Sequence, residues 1–379
     1  MRRYLSIIIN EDLKQKMVFL AGPRQVGKTT VALSFLSPSL EENPAYLNWD
    51  FPKSRKRIRE LDLPPNSQII VFDEIHKYAR WRNLIKGAYD QYKSRLQFIV
   101  TGSAKLDFYS RGGDSLLGRY HLLRLHPFSL PETAQLHPTV TLTQLFDFGG
   151  FPEPLFRKDK RFSRRWSADR KNRITADDIN SLEKLKELSL MELLIEALPA
   201  RIGAPLSYAN LAQDLEVAPR TAKRWVDILE RVYYCFRLAP FGPPKIRAVK
   251  KENKLYLWDW SEIEDPGIRF ENFVASHLLK YCHFLEDTEG HRMELRYLRD
   301  IDQREVDFVV LKDRKPMFAV ECKLTKQSIS PHLHYYRQRT KIPLLFQVFL
   351  DSQPYHSGNE AEQVAQVSFQ SLCEILKLV

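Results

Sequence analysis

At 379 residues and 44.5 kDa the chain is too long for one ordinary domain; a prior of about 100–200 residues per domain predicts two to four. Hydrophobic residues at 44% and charged residues at 28% exclude a disordered chain, which is poorer in large apolar side chains. Lys and Arg number 58 against 47 Asp and Glu, a net +11, so a polyanion is a candidate partner.

Three windows hold more than the whole surplus: 53–59 with five basic side chains and no acidic one, and 157–173 and 220–251, each with nine against two. The first reads as a solvated helix face, the other two as phosphate-contacting surface. The apolar run Leu5 to Ile9 is far shorter than the ~20 residues a spanning helix needs, so neither a membrane span nor a signal peptide is expected. Cys235, Cys282, Cys322 and Cys373 are widely spaced, which argues against a zinc ribbon or disulfide framework and makes a reducing, cytoplasmic setting the expectation.

Met17 to Ala21 forms a short apolar strand pattern followed by Gly22-Pro23-Arg24-Gln25-Val26-Gly27-Lys28-Thr29-Thr30, which contains the G-x-x-x-x-G-K-[ST] phosphate loop. Thr29 to Leu36 reads as the opening of a helix, so backbone N–H groups and the helix dipole face the phosphates. The two glycines permit tight wrapping, Lys28 reaches the β and γ phosphates, and Thr29 offers its hydroxyl to Mg2+. Gln68 to Phe72 is the continuous apolar run of a buried parallel strand and ends in Asp73-Glu74. Asp73 is expected to hold the metal and Glu74 to polarise the attacking water. A further strand, Leu96 to Val100, runs into Thr101-Gly102-Ser103, where Thr101 or Ser103 is a candidate γ-phosphate sensor and plain turn chemistry is the alternative. Arg119, before the apolar strand Tyr120 to Leu125, is a candidate arginine finger for a neighbouring subunit's nucleotide, with a simple surface arginine as the competing reading.

The phosphate loop, the strand ending in Asp73-Glu74, the Thr-Gly-Ser tip, the stretch 116–132 and Gly149-Gly150-Phe151-Pro152-Glu153 together resemble the bacterial and archaeal AAA+ ATPases that carry a helix-turn-helix segment and a C-terminal region like restriction endonucleases. The resemblance covers nearly the whole chain. It implies ATP binding and hydrolysis, a homo-oligomeric ring with a hexamer as one size, and a DNA role.

Farther on, Ser207 can cap a helix whose buried side is Leu211, Ala212 and Leu215, and Pro219 marks the turn into a second helix with Trp225, Val226 and Leu229 on its buried face. This is a helix-turn-helix pattern, with Arg220, Lys223 and Arg224 where a recognition helix meets DNA. Strands over 233–238 and 255–258 flank a basic loop with Lys245, Arg247, Lys250 and Lys251, as in a wing. Winged helices also serve as protein-interaction modules, so the fold alone does not select DNA.

Helix 268–285, with Glu271, precedes strand patterns over 293–298, 305–311 and 316–323. Asp307, then Glu321-x-Lys323, matches the acid and acid-x-lysine core of restriction-type and junction-resolving nucleases. Asp307 and Glu321 on adjacent strands can hold Mg2+, Glu271 can add a carboxylate from the side, and Lys323 shares a strand face with Glu321. A satisfied charge cluster in a non-cutting domain is the competing reading.

The expected protein is therefore α/β: a P-loop AAA+ parallel-sheet ATPase domain over 1–150, a helical linker or lid over 151–200, a winged helix over 201–260 and a restriction-endonuclease-like domain over 261–379. The expected activity is Mg2+-dependent ATP hydrolysis coupled to DNA binding and remodelling, translocation or processing. A nucleotide-gated switch or scaffold without cleavage, and an ATP-gated nuclease, are the alternatives.

Overall fold

Five short strands with largely buried side chains build a parallel sheet in the first part of the chain: β1 (Met17–Ala21), β2 (Tyr46–Asn48), β3 (Ile69–Asp73), β4 (Gln97–Thr101) and β5 (Tyr120–Arg124). Parallel strands need crossover connections, and helices α1 (Ser6–Asp12), α2 (Lys28–Leu33), α3 (Pro52–Glu60) and α4 (Trp81–Tyr92) lie before and between them. The spatial order is β2-β3-β4-β1-β5, which sets β4 between the strands that carry the phosphate loop and Asp73. The computed structural model describes residues 3–102, 116–179, 188–242, 252–359 and 363–379. Ser103, Lys245, Arg247, Lys250 and Lys251 lie outside the described residues.

The chain parts into two compact units, Met1–His126 and Pro127–Val379. This differs from the division expected at 150, and the reason is where segment 127–136 finds its partners. The Lys280 ammonium donates to Ser129 Oγ at 2.8 Å and pairs with Glu132 at 2.6 Å, and the Leu130 amide donates to His277 at 3.0 Å. The Gly149–Glu153 signature belongs to the same core. Gly149 has φ +78°, and a Cβ there would lie 2.6 Å from Asp259 Oδ1; a Cβ on Gly150 would lie 2.6 Å from both the Phe128 carbonyl oxygen and the Trp260 ring. Both positions favour glycine: Gly149 for its positive φ and the Asp259 and Ser261 side chains against it, Gly150 because backbone and indole close directly onto it.

In the second unit, α5 (Leu130–Leu136), α6 (Leu142–Phe148), α7 (Pro152–Arg157) and α8 (Lys160–Arg173) precede α9 (Leu188–Ala197). The basic run on α8 is not all surface: Arg170 is buried over the Phe151 ring at 4.3 Å and paired with Glu262 at 3.2 Å. Helices α10 (Tyr208–Asp214) and α11 (Pro219–Arg231) follow, with Ser207 accepting from the Asn210 amide. The expected buried faces are observed, including Leu211, Ala212, Trp225, Val226 and Leu229.

An eight-stranded mixed sheet completes this unit, in the order β12-β13-β11-β10-β9-β8-β6-β7. Its strands are β6 (Cys235–Pro240), β7 (Lys254–Leu257), β8 (Met293–Arg299), β9 (Glu305–Lys312), β10 (Lys315–Lys323), β11 (Leu345–Phe349), β12 (His356–Asn359) and β13 (Val364–Ser368). The pair expected as a separate wing, β6 and β7, extends this sheet because Ala239 and Pro240 pair in parallel with Arg296 and Tyr297. Strands β6 and β7 therefore belong to the same sheet and compact unit as β8 to β13. The 24-residue α12 (Pro266–Glu289) starts where Asp265 accepts the Ile268 amide and stops at left-handed Gly290. Residues such as Leu298, Val306, Val309, Ala319, Leu333 and Leu345 form a core beside α13 (Pro331–Arg339), and α14 (Phe369–Leu376) ends the unit. Among the described residues no helix is long and apolar enough to cross a membrane.

Candidate functional site

The phosphate loop turns back from β1 through three left-handed or extended positive-φ residues: Gly22 at +142°, Gln25 at +61° and Gly27 at +98°. A Cβ on Gly22 would lie 2.3 Å from the Leu125 carbonyl oxygen, so the loop passes against the end of β5 without room for a side chain. Arg3, buried, donates to the Val26 carbonyl at 2.9 Å and the His126 carbonyl at 2.7 Å, fixing the loop from behind. The Lys28 ammonium sits within the loop, donating to the carbonyls of Gly22 (2.9 Å) and Pro23 (2.7 Å). Gln25 Oε1 is buried with no hydrogen-bond partner among the described residues, as a loop shaped around a further polar group would leave it.

Parallel pairing brings Asp73, at the end of β3, beside this loop. Its carboxylate is buried and receives three hydroxyls: Thr29 at 2.8 Å, Tyr46 at 2.6 Å, and Thr101. Thr29 and Asp73, on separate elements, lie within hydrogen-bond distance of each other, and a hydroxyl beside a carboxylate is a donor set suited to Mg2+. Burial and the Asp73 charge hold the Tyr46 phenol far above its ordinary range, so it is a donor throughout. Tyr46 had not been singled out; its signal is the alternation that puts Tyr46 and Asn48 on one face of β2.

Glu74 is left-handed, φ +54°, an uncommon conformation for a residue with a side chain. Its carboxylate lies 3.2 Å from the Lys77 ammonium, which also pairs with Asp50 at 2.6 Å. Burial presses the Lys77 pKa down, but Asp50 and Glu74 more than offset it, and the net shift is upward. Thr30 is exposed on α2. Arg119 makes a two-point contact with Asp90 on α4, at 2.8 and 3.1 Å.

In the second unit, Arg220, Lys223 and Arg224 are exposed at the start of α11, with Lys223 3.1 Å from Asp227. The suspected nuclease residues Glu271, Asp307, Glu321 and Lys323 come from α12, β9 and β10. The structure places a further side chain among them. Lys254, fully buried on β7, lies 3.2 Å from Glu271 and 3.9 Å from Asp307 and is in contact with Glu305. Tyr256, two residues on and so on the same strand face, donates to Glu271 at 2.7 Å. The other oxygen of Asp307 accepts the Cys322 amide at 2.7 Å, and Lys323 pairs with Glu321 at 2.7 Å. Burial, with Glu321 and Glu271, pushes the Asp307 carboxyl well above the usual carboxylate range; burial presses Lys254 the other way, but Glu271, Asp307 and Glu305 raise it. Among the described residues no group of three or more His, Cys, Asp or Glu is arranged to hold a metal ion. Lys254 and Tyr256 were missed because β7 is some fifty residues from β9, and only the sheet joins them.

A phosphate loop, a buried aspartate at the end of the next strand but one and the strand order between them define a nucleotide-hydrolysing class of domain. Residues 14–134 match the AAA domain family, so the first unit carries an AAA-type ATPase domain. Residues 140–261 match a domain of unknown function, DUF8612, and 266–361 another, DUF4143. Uncharacterized proteins Rv2008c of Mycobacterium tuberculosis and Mb2031c of Mycobacterium bovis are each 24% identical over 245 residues, 64% of this chain and 54% of theirs. The chain thus spans about half the length of these relatives. Uncharacterized protein MJ1637 of Methanocaldococcus jannaschii is 23% identical, with 84% of this chain and 77% of that protein covered. The RuvB Holliday junction branch migration motor of Thermotoga maritima is 18% identical over 62% of this chain and 87% of its own; with a TM-score of 0.31 it defines neither fold nor function here.

Proposed function

We propose that this chain is a Mg2+-dependent ATPase whose hydrolysis is coupled to DNA binding and remodelling. The observation that carries the reading is the convergence of Lys28, Thr29, Asp73 and Thr101 from α2 and the ends of β3 and β4 at one end of the parallel sheet. Lys28 binds the phosphates on leaving the loop carbonyls, Thr29 and Asp73 hold the metal, and Glu74 orients and deprotonates water. Mg2+, when bound, supplies neutralisation of charge on the β and γ phosphates. Thr101, through its hydrogen bond to Asp73, holds that carboxylate in place.

The DNA part rests on exposed Arg220, Lys223 and Arg224 at the start of a helix-turn-helix second helix. A homo-oligomeric ring, in which Arg119 leaves Asp90 for a neighbouring subunit's nucleotide, belongs to the same reading. ATP turnover is to be measured with linear, forked, four-way and single-stranded DNA over a salt series. Stimulation that weakens as salt rises, and that falls in the triple variant Arg220→Ala/Lys223→Ala/Arg224→Ala, is expected. Turnover unchanged by every DNA would refute the coupling and favour a nucleotide-gated switch.

A further inference from the structure

The carboxylate cluster of the second unit contains its own cation. Four acids, Glu271, Glu305, Asp307 and Glu321, meet there, and against them stand Lys254, Lys323 and Arg299, the last 3.3 Å from Glu305. At most one acidic charge is left without a basic partner. A divalent ion needs oxygens converging at about 2.0–2.6 Å on one point; here the Lys254 ammonium faces three of the four carboxylates.

Lys254 is also closed in. Its strand pairs with β6, the Leu206 amide donates to the Asn253 carbonyl at 2.8 Å, and Pro205 bridges to Lys254 itself. The ammonium lies 5.6 Å from the centre of the Tyr297 ring. Gly203, with φ +78°, passes so near that a Cβ there would be 3.1 Å from Glu271. Swinging the lysine out to admit a metal would break this cover and take the Lys254 ammonium away from the carboxylates that now compensate its charge, a costly step.

We propose that Lys254 is the resident cation of this site: its ammonium fills the place of a divalent metal between Glu271, Glu305 and Asp307, so the second unit does not cut DNA by metal-assisted hydrolysis. The nuclease-like arrangement is an internally neutralised cluster that ties β7, α12 and β9 together. This inference is independent of the ATPase, whose residues lie in the other unit.

The test is Mn2+ binding by the nucleotide-free full chain, read from the loss of the free-ion EPR signal. The series is wild type, Lys254→Arg, Lys254→Ala, Lys254→Gln, Asp307→Asn and Lys254→Ala/Asp307→Asn. The first unit is the same throughout, so metal held there cancels. Wild type and Lys254→Arg should match Asp307→Asn. Lys254→Ala or Lys254→Gln, whichever melts cooperatively, should gain one ion per chain at least tenfold tighter, and the double variant should lose it. A wild-type ion that disappears in Asp307→Asn overturns the proposal without relying on any lysine variant. A cooperatively folded Lys254→Ala or Lys254→Gln that gains no ion also overturns it.

Discussion

His277 supplies a pH-dependent stability whose sign and size follow from its contacts. The ring is buried on α12; its Nε2 accepts the Leu130 amide at 3.0 Å, so the proton is on Nδ1, which donates to the Phe273 carbonyl at 2.8 Å. A second proton would have to displace the Leu130 hydrogen bond. Burial, with help from the Lys280 ammonium and against the Phe273 carbonyl, pushes the pKa from 6.5 down to about 3. The unfolded chain therefore takes the proton first. The contribution is complete above about pH 6.5 and is lost as pH falls, by about 2 kcal/mol between pH 7 and pH 5. Asp259 works in the opposite direction: burial and Glu262 push its carboxyl up to about 6, so the folded chain binds that proton first and gains about 1 kcal/mol over the same interval. Wild type alone would show mostly cancellation. The informative quantity is the difference between wild type and His277→Gln in urea unfolding at pH 5 to 7, followed by tryptophan fluorescence, to which Trp260, its ring 5.7 Å from His277, contributes. That difference should shrink by about 2 kcal/mol as pH falls. A gap that stays constant with pH would refute the reasoning.

Three further outcomes are expected. Lys280→Met removes the ammonium paired with Glu132, which is 1% exposed, and should cost about 3–5 kcal/mol, whereas adding Glu132→Gln should recover part of the loss; equal unfolding midpoints for single and double variants would contradict this. Glu74→Gln should keep ATP affinity while turnover drops about 10²–10⁴-fold, and a matching loss of affinity would remove Glu74 from the water-orienting role. Gly22→Ala must move either the loop or the Leu125 carbonyl, 2.3 Å from the new Cβ, so nucleotide affinity measured by fluorescent ATP analogue should fall at least tenfold; unchanged affinity would mean the loop tolerates the shift.

The phosphate loop was readable because its parts are contiguous: Gly22, Gly27, Lys28 and Thr29 act through local backbone geometry, and a short apolar run before them is enough to announce the strand. The run ending in Asp73 was readable for the same reason. Tyr46 was not, since a tyrosine in a three-residue strand carries no mark of the carboxylate it will reach across the sheet. The acids Asp307 and Glu321 were also visible, as alternation along two strands, but the lysine that faces Asp307 was not.

The sequence by itself determined the α/β class, the nucleotide chemistry of the first unit and the buried faces of α10 and α11, because strand runs, loop glycines and helical periodicity are short-range properties of a chain. Tertiary structure decided two other matters. It assigned the segment after His126 to the second unit through the buried Lys280–Glu132 pair, which joins residues 148 apart. It also set Lys254 among the carboxylates, since which charges share a buried space depends on how strands order themselves in a sheet, and that order is not written in local spacing.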